Sequence, residues 1–180
     1  MPLQEAFKRI KDPRRKQGQR INLEQLLSIS ILSVLSGYTG YRGMERFARV
    51  HKKALIEELG LNHPPPGRNT YWEVLTKLDR TQVAAAFNTW AKDLSTKGEW
   101  ISGDGKALRA TVEDAHGKSQ NFEAIVSLFA QSTGLTVAVG HYKNKDKGGA
   151  ESGLVRFLCG LFKGQNAVLS LDALHSTKKT

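Results

Sequence analysis

The sequence predicts an α+β or α/β chain of two units: a helical one over residues 1–97 and the front of a mixed sheet over 98–180. Three observations predict it. Up to Lys97 the apolar residues recur at helical spacing. From Glu99 the spacing shortens, and Val, Ile, Phe and Thr gather on both sides of the turn signal Ser132-Thr133-Gly134. An amphipathic stretch over 151–162 then leads into the apolar run 167–171, so the second half reads β-β-β-α-β.

Each element has its own local reason. Residues 5–10 form a short amphipathic piece that Asp12-Pro13 stops, because proline disfavours helix in the residue before it. Arg14 to Gln19 is a basic loop. Asn22 caps a helix to about Ser36, with Leu23, Leu26, Leu27, Ile31, Val34 and Leu35 on one stripe that Ile29 and Leu32 widen. So apolar a helix is expected to be buried on most sides. A helix from Met44 to Leu59 turns Phe47, Val50, Leu55 and Leu59 inward and ends at Gly60. Pro64, Pro65, Pro66 and Gly67 form a rigid connector. Asn69 or Thr70 caps the next helix, and Asp79 and Thr81 open the one after it. Trp72 and Trp90 read as core. Residues 100–102 are extended, 121–130 and 135–142 pair as a hairpin, and 144–149 is a charged loop.

The chain has 180 residues and a formal net charge of +10. With 39% apolar and 24% charged residues it is not a disordered chain. Its apolar runs fall short of the ~20 residues a membrane span needs. One cysteine, Cys159, excludes disulfide frameworks and cysteine-rich zinc sites; it reads as a core thiol, and a reducing cytoplasm is the expected compartment. The five histidines show no ligand spacing. Residues 1–97 hold 17 Lys and Arg against 9 Asp and Glu, whereas 98–180 hold 10 against 8. So basic a half suits a polyanion, DNA or RNA before others, with salt-dependent binding. A solvated arm without a partner is the alternative.

Two aspartates attract attention as chemistry. Asp104 follows Trp100-Ile101-Ser102-Gly103, and Asp172 follows Val168-Leu169-Ser170-Leu171. Carboxylates at the ends of neighbouring buried strands can hold Mg²⁺ between them. Lys106 and Arg109 are close enough in sequence to meet phosphates. Equally, Asp104-Gly105 is a hairpin-turn pair, and Asp172 can cap a helix that begins at Ala173. Glu151 reads as the opening residue of its helix.

Four blocks carry a family resemblance. They are Ile10-Lys11-Asp12-Pro13-Arg14-Arg15-Lys16-Gln17-Gly18-Gln19-Arg20, then Leu59-Gly60-Leu61 with Pro66 and Thr70 to Asp79, then 101–109 around Asp104, and 169–179 around Asp172. In order and spacing they resemble the H-repeat-associated proteins, DDE transposases of bacterial insertion sequences. The resemblance implies an RNase H-like catalytic fold with Asp104 and Asp172 as catalytic acids and metal ligands. It implies Mg²⁺ or Mn²⁺ as cofactor, double-stranded element ends as partner, and strand cleavage with transfer. The basic residues Arg14, Arg15, Lys16, Arg20, Lys106 and Arg109 are the expected DNA contacts. Homo-oligomer formation is left open, and no membrane partner is expected.

The pattern also departs from the family. Its third acid, a Glu on a later helix, has no counterpart before Thr180, and Glu151 precedes the second Asp. The expectation is therefore a C-terminally truncated copy that binds DNA but does not cut or join it usefully alone. Its two aspartates would stand roughly 4–7 Å apart at strand ends, as a shared Mg²⁺ requires. An open sheet face with Leu171, Val168 and the hairpin is expected too. A DNA-binding regulator without enzymatic use, and a basic protein with another kind of partner, are the competing readings.

Overall fold

The computed structural model describes residues 2–95, 97–112, 121–143 and 150–172, without the side chains of Arg109 and Ala150. The expected loop at 144–149 and the helix expected from Ala173 lie outside these residues. The chain forms two compact units, Met1–Val83 and Ala84–Thr180. Among the described residues no helix is long and apolar enough to cross a membrane.

The first unit contains α1 (Leu3–Phe7), α2 (Leu23–Leu35), α3 (Gly40–Val50), α4 (Lys52–Leu59), α5 (Arg68–Lys77) and the first turn of α6 (Arg80–Ala91). Helix α2 packs against α1 and α3, and α3 packs against α5. Phe7, Leu26, Ile29, Phe47, Leu55 and Val74 fill the space between them. At the start of α2 the Gln25 side chain accepts from the Asn22 backbone N–H at 3.1 Å, the return bond of a capping box. The Gln25 amide also donates to the carbonyls of Leu59 and Gly60, tying down the end of α4. Gly60 sits there with φ 61°, the left-handed conformation that ends helices. Asp79 opens α6, accepting from the N–H groups of Thr81 and Gln82.

Several local expectations are corrected. The second half of α2 is enclosed on one side only: Ile31, Leu32, Val34 and Leu35 are exposed, while Ser30 and Ser33 are buried. The serines satisfy their hydroxyls on the helix's own carbonyls, Ser30 on Leu26 and Ser33 on Ser30, so burial costs them little. The helix expected over 44–59 is two helices, broken at His51 (φ −97°, ψ 19°), whose ring packs 4.6 Å from Phe47. Val50, next to the break, faces solvent. Gly67, not Asn69 or Thr70, precedes the first turn of α5, and Trp72 is exposed on that helix.

The second unit is a four-stranded sheet with one helix against it. Its strands are β1 (Trp100–Ala107), β2 (Glu123–Ala130), β3 (Leu135–Lys143) and β4 (Val168–Ser170), and α7 (Ala150–Gly160) connects β3 to β4. The spatial order is β3-β2-β1-β4, with β4 parallel to β1 and the other neighbours antiparallel. The order β-β-β-α-β read from the sequence is thus present, in a mixed sheet of an α+β chain.

Alternation along β2 sorts the two faces. Ala124, Val126, Leu128 and Ala130 are buried, and Ile125 and Phe129 are exposed between them. The buried face meets Val155, Leu158 and Phe162 from α7 and its C-terminal turn. A register shift opposite Leu128 and Phe129 lets consecutive residues Val137 and Ala138 both be buried. Gly103 lies beneath this core, where a Cβ would stand 2.7 Å from Leu171 Cδ2 and 2.9 Å from Leu128 Cδ2. Leu171 packs into the core, correcting its expected exposure; Val168 is exposed as expected.

The second part of α6 meets the outer edge of β3 at Val139. Asn88 donates to the Val139 carbonyl at 2.8 Å and accepts from the Val139 N–H at 2.7 Å. The division into units falls inside α6, ahead of the composition change at Glu99, because this part of the helix is bonded to the sheet.

Gly153 sits in the interior of α7 with open space where a Cβ would be. Gly153→Ala is expected to raise the stability of this unit by about 0.5–1 kcal/mol, since alanine loses less backbone entropy on forming helix. A urea titration followed by circular dichroism checks this.

Candidate active site and basic loop

Strand β1 continues through Gly103, Asp104 and Gly105, pairing Asp104 with Ser127, so these residues form a strand and not a hairpin turn. Asp104 therefore lies within its strand rather than at the end. Asp104, Lys106 and Ser102 share a face with Ser127, the face away from α7.

The parallel pairing of β1 with β4 matches Ile101 to Leu169 and Ser102 to Ser170. Two residues further along, the chains reach Asp104 and Asp172. Leu171, one step before Asp172, still touches the position of Gly103. Both aspartates are exposed, and neither has an ion-pair partner among the described residues. Two carboxylates with free oxygens suit a hard cation such as Mg²⁺, which binds through one or two carboxylates and keeps several waters. Among the described residues no group of three His, Cys, Asp or Glu is placed to hold a metal ion.

Glu151 lies on the opposite side of the sheet. Its Oε1 is 2.6 Å from where a Cβ on Gly105 would be, and its Oε2 accepts from the Tyr142 hydroxyl at 3.0 Å. Burial, then the Glu151 hydrogen bond and charge, push the Tyr142 hydroxyl up to about 12. Glu151 thus opens α7, as its position suggested, and packs on β1 from behind the aspartate face. Cys159 is half-buried against the core, and burial raises its thiol.

In the first unit the basic loop is built around Arg14. Its Nε donates to Asp12 Oδ1 at 3.0 Å and its Nη2 to Asp12 Oδ2 at 2.7 Å. It also donates to the carbonyls of Gly18 and Ile21. The Arg14 side chain is only 5% exposed, so it faces the loop interior. Burial alone would raise Asp12, but the hydrogen bonds and charge of Arg14 outweigh it and hold the carboxyl below its ordinary 3.8. Arg15, Lys16 and Arg20 are exposed without an ion pair among the described residues, as is Lys106 on β1. The side chain of Arg109 lies outside the described residues.

The sequence reading missed the partnership of Asp12 with Arg14, although the Asp-Pro-Arg spacing places the two side chains on one turn. It also missed Ser127, which the antiparallel pairing of β1 with β2 brings beside Asp104.

Residues 4–91 match the family model described as DDE_Tnp_1-associated. The chain is 26% identical over 176 residues to the "Uncharacterized protein in dhlA 3'region" of Xanthobacter autotrophicus, an alignment covering 96% of this chain and 58% of that protein. It thus spans less than two thirds of the length of this curated relative. No solved structure matches the chain. The matched segment contains the basic loop and helices α2 to α6, so the N-terminal part of the chain carries a DDE_Tnp_1-associated, or H-repeat-associated, domain.

Proposed function

We propose that this is an insertion-sequence transposase protein whose N-terminal unit binds double-stranded DNA through Arg15, Lys16 and Arg20. In this reading the second unit is the front of an RNase H-like DDE catalytic domain, with Asp104 and Asp172 as its first two metal-binding acids and Lys106 beside them. The observation that carries it is the parallel register of β1 and β4, which runs toward both aspartates at the same level. The strand order β3-β2-β1-β4, with a helix between β3 and β4, supports it. A divalent ion bound there would supply Lewis-acid activation of an oxygen nucleophile. Asp104 and Asp172 would hold it, and Ser127 would flank Asp104.

Glu151 lies across the sheet from Asp104, so it does not join the two aspartates as a third ligand.

Fluorescence anisotropy with a labelled duplex tests the DNA reading. Arg15→Ala with Lys16→Ala is expected to lower the slope of log affinity against log salt by about 2, roughly 0.9 for each phosphate no longer neutralised. An unchanged slope removes the loop as the DNA-binding element.

A further inference from the structure

The first unit holds a cavity of about 510 Å³ between the basic loop and the proline connector. Gln17, Arg20, His63 and Thr70 all line it, and none of their side chains has a hydrogen-bond or ion-pair partner among the described residues. Arg14 also reaches the wall, but its guanidinium is committed to Asp12, Gly18 and Ile21. No acidic residue lines the space. Pro64, Pro65 and Pro66 supply a stiff, apolar side.

We propose that this cavity receives one nucleotide unit of a nucleic acid. A cavity with a free arginine and no carboxylate selects an anion. Its volume lies in the range of small-ligand sites and far exceeds what a bare phosphate fills. The ligand therefore carries an apolar or planar body besides its charge. Arg20 takes the phosphate, Thr70 and Gln17 meet polar edges of sugar or base, and the prolines face the base. A base within a stacked duplex cannot enter, so the unit taken is an unpaired or terminal one. The inference rests on the DNA-binding reading and adds to it which part of the nucleic acid is held where.

The test uses the full chain and two probes: deoxyadenosine monophosphate with inorganic phosphate as control, and a duplex with one unpaired nucleotide against a perfect duplex. His63→Trp fills the cavity from an exposed position, and Arg20→Ala removes its free cation. Wild type is expected to bind the bulged duplex about tenfold more tightly than the perfect one, the size of one charge-assisted phosphate hydrogen bond. It should also bind the nucleotide better than phosphate. His63→Trp should erase both preferences while leaving the perfect duplex within about twofold. Arg20→Ala should weaken the nucleotide. Equal binding of the two duplexes, or a preference that survives His63→Trp, overturns the proposal. Nucleotide binding that His63→Trp removes, in a chain whose duplex affinity shows no salt dependence, keeps the cavity and refutes the DNA reading instead.

Discussion

Asp12→Ala is expected to lower the stability of the N-terminal unit by about 3 kcal/mol, the low end for removing one partner of an enclosed ion pair. The mutation leaves the Arg14 guanidinium, 5% exposed, without the carboxylate that meets two of its nitrogens. The low end applies because Asp12 is itself 17% exposed, so water can replace part of the missing carboxylate. Arg15→Ala, one residue along on the exposed side of the loop, should change stability by less than about 0.5 kcal/mol. The same pair sets an acid limit. The folded-state carboxyl of Asp12 lies below its ordinary 3.8, so its contribution is present above that pH and is lost as pH falls through the folded value. Urea titrations at pH 7 and pH 3 should therefore show a smaller gap between wild type and Asp12→Ala at the lower pH. A gap that does not narrow means that Asp12 holds the loop by shape and not by charge.

The second large effect is expected at Gly103. Gly103→Val places branched carbons where Leu171 and Leu128 already stand, 2.7 and 2.9 Å from the first atom added. Both neighbours belong to the packed core or lie against it, so neither can retreat without strain. The cost is expected to be about 3 kcal/mol, the upper range for overpacking. The consequence extends past stability. Leu171 is the residue before Asp172, and pushing it off β1 separates the two aspartates although neither is altered. If the proposed site holds a cation, manganese binding, followed by electron paramagnetic resonance on folded protein, should weaken in Gly103→Val and in Asp104→Asn alike. Retained binding in Gly103→Val would show that the cation does not depend on the β1 and β4 register.

The periodic parts of the chain were legible from sequence. The hairpin, the helix after it and the strand before Asp172 follow from alternation and apolar spacing, and all are present. What periodicity does not carry is which apolar faces find a partner. Ile29 and Leu32 are equally apolar, yet one is fully buried and the other exposed, because α1 and α3 enclose only part of α2. Local turn chemistry misled in the same way. Gly103-Asp104-Gly105 has the composition of a tight turn, but β2 pairs all three residues and holds them extended. Here the glycines serve close packing, under Leu171 and under Glu151, rather than a reversal of the chain.

The candidate site was legible as two separated aspartates, and what the sequence lacks is the parallel pairing of β1 with β4 up to Ser102 and Ser170, two residues before each of them. The basic loop was legible as charge only. Seven cations in the first twenty residues look alike in a string, yet Arg14 turns inward and organises the loop that displays Arg15 and Lys16. That distinction depends on carbonyls up to seven residues away.

Asn88 gives the sheet a property that its strands do not have. By presenting one donor and one acceptor to Val139, its amide does for the β3 edge what a neighbouring strand would do. A sheet edge left open is a template for a second chain. Asn88→Ala is therefore expected to leave the Val139 donor and acceptor open to a second chain, which a rise in light scattering on concentration would report.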